Sequence, residues 1–122
     1  MRTTEFEEQL RQRCTPLDER LCDIKKSDAV MKEFQDKRDL LGTEMWSNCA
    51  KLMVDGYKNQ LLQAIVLIED IKSFILAEGR GAEKTELLDQ LDDWLTQYRG
   101  EYERNKKIMD MVKQLERSYE RT

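Results

Sequence analysis

At 122 residues, 38% of them charged, with one proline and no histidine, the chain is sized for one domain and lacks both the commonest general base and the commonest metal ligand. Its 21 basic and 25 acidic residues are intermixed and sum to −4, so no basic stripe of the kind that displaces counterions from nucleic acid is present. Ser–His and Cys–His nucleophile systems and Glu-x-x-His di-iron sites are excluded; a non-enzymatic protein without cofactor, metal or small-molecule substrate is expected.

Leu, Glu, Lys, Arg, Gln and Met dominate and β-branched residues are sparse, which predicts an all-α fold. Cys14, Cys22 and Cys49 give an odd count with no CxxC pair. A disulfide scaffold is therefore not expected, and a reducing intracellular compartment, cytoplasmic or nuclear, fits. The acidic opening MRTTEFEEQL has no apolar core of the kind a secretory signal carries.

From Phe6 to Leu41 apolar residues recur in steps of three and four: Phe6, Leu10, Cys14, Leu17, Leu21, Ile24, Met31, Phe34 and Leu41, with Asp28 and Arg38 in the seam between them. This predicts a first helix over about 4–41. Thr15-Pro16-Leu17-Asp18 has the form of a helix start, Thr as cap and Pro first in the helix. Thr4–Arg13 is thus expected either as a separate short helix with a break near 14–16, the reading favoured, or as part of one helix kinked at Pro16. Gly42 and Thr43 are the next punctuation, a helix end followed by a cap; the rival is one bent helix running through Gly42.

The second helix is expected over about 44–78 and holds the most apolar stretch, QLLQAIVLIEDIKSFIL from Gln60 to Leu76. Glu69, Asp70 and Lys72 within it argue against a membrane span. Placed at about 100° per residue, Trp46, Ala50, Met53, Tyr57, Leu61, Ala64, Ile68, Ile71 and Ile75 form one stripe. Met45, Cys49, Leu52, Gly56, Leu67 and Phe74 form a second, roughly opposite. A helix with two apolar stripes needs cover on both. Gly56 either weakens the helix or marks a close backbone approach. Charge agrees that this helix is the inner one: residues 42–78 carry 8 charges in 37, against 19 in the 41 before and 19 in the 44 after.

Gly79-Arg80-Gly81 ends the second helix and turns the chain. The third helix, about 83–119, has a heptad seam: Leu88, Leu91, Leu95, Tyr98, Tyr102, Asn105, Met109 and Val112, widened by Leu87, Trp94, Ile108 and Leu115. Asn105 in that seam is of the kind that fixes register or oligomer state. Acids crowd its first half and bases its second, the order the helix dipole favours. That order accounts for Asp89, Asp92 and Asp93 without a metal.

Three near-equal helices with short connections predict an elongated antiparallel three-helix bundle, coiled-coil-like and spanning 1–122 as one domain. Its proportions are similar to those of spectrin-type repeats, in architecture alone. More apolar surface than a slim bundle hides points to a scaffold or adaptor subunit that binds amphipathic helices of other proteins, as hetero-oligomer or homodimer, without nucleic acid or membrane insertion. The residues expected to bind protein are Leu52, Leu67 and Phe74 in the second stripe and Tyr98, Tyr102, Met109 and Val112 on the third helix. Separately, Leu10-Arg11-Gln12-Arg13-Cys14-Thr15-Pro16-Leu17-Asp18-Glu19-Arg20-Leu21 resembles the first-helix segment of helical chorismate mutases. That resemblance implies a dimeric all-α enzyme that binds a dicarboxylate through Arg and Lys, with Arg11 as a substrate-binding arginine; downstream of this segment the sequence departs from the family's pattern.

Overall fold

The computed structural model describes residues 3–35 and 43–120, all helical apart from the turn at 79–80. Three helices follow one another: α1, Thr3–Gln35; α2, Thr43–Glu78; and α3, Gly81–Glu120. Gly42, Leu41 and Arg38 lie outside the described residues, as does the side chain of Leu115. Helices of 33, 36 and 40 residues reach roughly 50–60 Å at 1.5 Å per residue.

The pairs that join the helices give their directions. Phe6 stacks on Phe74, Ser27 donates to Gln60 and Phe34 stacks on Trp46. Residue numbers thus rise on α1 as they fall on α2, which makes the two antiparallel. Lys72 pairs with Asp92, Glu69 with Arg99 and Tyr57 with Glu101, so α2 and α3 are antiparallel as well. The bundle is up-down-up, with α2 in the middle as its low charge implied.

Heptads organise the packing. On α2, Ala50, Tyr57, Ala64 and Ile71 form one buried column and Val54, Leu61, Ile68 and Ile75 another, each at a spacing of seven. Leu17 and Ile24 from α1 and Leu91 and Leu95 from α3 close on them to make the main core cluster. At the far end Ala50, Val54, Met109 and Val112 are also buried but stand outside that cluster. Ala50, Val54 and Val112 border a cavity of about 50 Å³ together with Phe34 and Trp46.

The favoured break before Pro16 does not occur: of the two readings, one helix running through the proline is the one found. Proline removes the amide that would bond the Gln12 carbonyl. Gln12 and Pro16 are both exposed, so water reaches that carbonyl, while the Thr15 hydroxyl donates back to the Arg11 carbonyl (3.0 Å) instead of capping a new helix. Leu17, next to the proline, is 2% exposed. Burial of Leu10, Cys14 and Leu17 along one face offsets a local cost of about 3 kcal/mol.

The α2–α3 turn needs both its glycines. Gly79 donates to the Ile75 carbonyl at 2.7 Å, and a Cβ on it would sit 2.6 Å from that oxygen. Gly81 has φ +74°, a conformation that resists side chains. Lys84 Nζ reaches back to the Leu76 carbonyl at 3.1 Å and satisfies an orphan acceptor at the end of α2. Gly56 is different: it is exposed in mid-helix, and a methyl group on its Cα would meet nothing within 4 Å. One substitution should therefore act with opposite signs. Gly79→Ala and Gly81→Ala should each destabilise by about 1–2 kcal/mol, and Gly56→Ala should stabilise by up to about 1 kcal/mol. Thermal melts followed by far-UV circular dichroism check the ordering.

Candidate interaction surfaces

The seven residues expected to bind protein do not share a surface. Leu52 is 78% exposed, the most of any large apolar residue among those described. Leu67 is half-buried against the core. Phe74 is buried: α1 covers it, with the Phe6 ring stacked at 5.4 Å and the Arg13 guanidinium 4.5 Å above its centroid. Arg13 also pairs with Asp70 at 3.0 Å. Tyr98 and Tyr102 are half-buried and packed on the core cluster. Met109 and Val112 are buried. Phe74, Met109 and Val112 are thus covered by the chain itself, and the second apolar stripe is not one continuous face.

A layer of polar groups crosses the bundle where the main core ends. The buried Tyr57 hydroxyl donates to Glu101 Oε2 across the α2–α3 seam (3.1 Å), and the Ser27 hydroxyl donates to Gln60 Oε1 across the α1–α2 seam (2.7 Å). Asn105 is buried, and its amide donates to the Glu101 carbonyl of its own helix (2.8 Å) rather than to a neighbour. Here α1 and α3 part and leave an open cleft of about 430 Å³. Ile24, Met31 and Ile108 line it with Tyr57, Tyr98 and Glu101, and Asp28, Lys32 and Arg104 stand on its walls. Asp28 is paired with Lys32 (3.0 Å) and Glu101 lies 3.9 Å from Arg104. Burial pushes the Tyr57 phenol well above its ordinary range, and the Glu101 carboxylate that accepts its proton adds to the rise. Tyr98 moves the same way, through burial first and Glu101 second.

Two separate concavities lie along the α1–α2 seam and make up the two lobes of an outer groove. One is lined by Pro16, Arg20, Leu62, Gln63, Val66 and Leu67. The other includes Lys26 and Val30 from α1 and Leu52, Met53 and Gly56 from α2. Val30, Leu52, Leu62 and Val66 are between 46% and 78% exposed. Of these four, only Leu52 is among the residues that sequence reasoning singles out. A signal for part of the rest lies in the seven-residue column Met45, Leu52, Asn59, Val66 on α2.

Among the described residues no three His, Cys, Asp or Glu side chains are grouped to hold a metal ion, and no helix is long and apolar enough to cross a membrane. The three cysteines are free. Cys22 is exposed, while burial and the nearby Asp18 carboxylate push the Cys14 thiol up. Arg11 is exposed and lines neither the cleft nor the outer groove. Comparison with protein-family models, with curated proteins and with solved structures finds no match to this chain.

The polar layer has a pH signature. Tyr57 holds its proton more tightly folded than unfolded, so its contribution is complete below the unfolded phenol value near 10. It is lost as pH rises beyond that, because the unfolded chain releases the proton first. The melting temperature should fall between about pH 9 and 12, and Tyr57→Phe should flatten that fall. Thermal melts across the range, with tyrosinate absorbance recorded alongside, give the measurement.

Proposed function

We propose that this chain is a non-enzymatic helical subunit that docks amphipathic helices of other proteins in a larger intracellular assembly, cytoplasmic or nuclear. One observation carries the reading: apolar side chains are exposed on the least charged helix. Met45, Leu52, Leu62, Val66 and Leu76 of α2 are all at least 46% exposed, although only 8 of the 37 residues from 42 to 78 are charged. Single exposed leucines are ordinary on soluble proteins. Their concentration on one helix whose outward side also carries Asn48, Gly56, Asn59, Gln63 and Ser73 is the pattern of a docking face.

Self-association is the second reading, since the same face would serve two copies of the chain. It predicts twice the monomer mass for the protein alone.

The test separates the surface from the core. Leu52→Asp with Val66→Asp should leave far-UV helicity intact and move stability by no more than about 1 kcal/mol, two surface changes of up to ~0.5 each. Phe74→Ala should cost about 3–5 kcal/mol as a core truncation. Partners cross-linked to the wild type in cells and identified by mass spectrometry should be lost from the Leu52/Val66 double variant. The same set retained on the folded double variant would end the reading.

A further inference from the structure

We propose that the outer groove between α1 and α2 seats an acidic amphipathic helix of a partner protein; this rests on the docking function above and names the partner's chemistry. The groove's lining follows the antiparallel order of the two helices: Pro16 and Arg20 of α1 with Leu62, Gln63, Val66 and Leu67 of α2 in one lobe, Lys26 and Val30 with Leu52, Met53 and Gly56 in the other. On α1 the lining residues Pro16 and Val30 lie 14 residues apart, two heptads, or roughly 21 Å along the axis. One straight helix with an apolar stripe is long enough to fill both lobes.

Charge identifies the occupant. The chain is acidic overall, yet among the described residues the only charged ones lining the two lobes are Arg20 and Lys26. Arg20 lies 3.5 Å from Asp23 of its own helix, but the two side chains are 45% and 42% exposed, so that pair is weak. No carboxylate pairs with Lys26 among the described residues. A helix that puts apolar residues into the lobes and Asp or Glu along its α1-facing flank meets complementary charge. Gly56 gives that helix a place to enter: the space over its Cα is empty, and nothing among the described residues uses the opening. A second copy fits less well. The acids of this chain lie densest at the start of α3, where Leu91 and Leu95 are already buried in the bundle.

The experiment uses the full chain and two labelled helical peptides of about 20 residues. Both carry Leu at heptad positions a and d; one has Glu and the other Lys at the flanking e and g positions. Fluorescence anisotropy should show the Glu peptide binding at least about tenfold more tightly than the Lys peptide. Arg20→Glu with Lys26→Glu should reverse that order, and Leu52→Asp should weaken both peptides while the fold is retained. Failure of both peptides to bind, equal binding, or a preference for Lys overturns the inference. Equal binding that Leu52→Asp abolishes overturns only the acidic partner and leaves the docking surface standing. Light scattering on the protein alone is the remaining arm: twice the monomer mass, reverting to monomer in Leu52→Asp, would place a second copy in the groove and overturn the inference too.

Discussion

Burial of one face of α2 is the constraint on which the rest of the bundle depends. Leu61, Ala64, Ile68, Ile71 and Ile75 are at most 1% exposed, and no single neighbour could cover them. Each large aliphatic side chain enclosed in this way contributes about 1.5–3 kcal/mol. The ion pairs that bridge the helices, Arg13–Asp70, Lys72–Asp92 and Glu69–Arg99, lie at the exposed margins, where such pairs contribute about 0–1 kcal/mol. The apolar columns set the fold. The charged margins select antiparallel register and keep the outer faces of α1 and α3 solvated.

The same comparison explains how much of the structure is legible in the sequence. Helices α2 and α3, their antiparallel order, the turn at Gly79 and Gly81 and the inner position of α2 follow from periodicity, glycine chemistry and charge density. The break at Pro16 does not follow, because Thr followed by Pro is a local signal that says nothing of the face it interrupts. Leu10, Cys14 and Leu17 pack continuously on that face, and tertiary burial outweighs a cap and a ring.

The second stripe fails for a geometric reason. A wheel at about 100° per residue describes a straight helix, whereas a seam that repeats every seven residues drifts about 20° per heptad against it. From Trp46 to Phe74, four heptads, the drift reaches about 80°. Trp46, Met53, Gln60, Leu67 and Phe74 form a single column, and at its two ends Phe34 and Phe6 of α1 stack on it. Leu52 and Phe74 stand only about 40° apart on the straight wheel but about 100° apart on the heptad one. The straight wheel therefore groups a surface residue with a core residue. Heptad columns separate what α1 covers from what it leaves open, and the open column contains Met45, Leu52 and Val66.

The proposed docking function would account for what the packing leaves open. A bundle selected only to fold would carry more charge on the outward side of α2 than the exposed Glu44, Asp55, Glu69 and Asp70, and alanine rather than glycine at position 56. Gly56 costs about 1 kcal/mol of helix stability and relieves no contact among the described residues. Leu52 gains little from a position 78% exposed and adds apolar surface that favours aggregation. Both features are unfavourable for the isolated chain, and they occur in the same lobe of one groove. A partner side chain over Gly56, with Leu52 beside it, would turn both into contributions to binding.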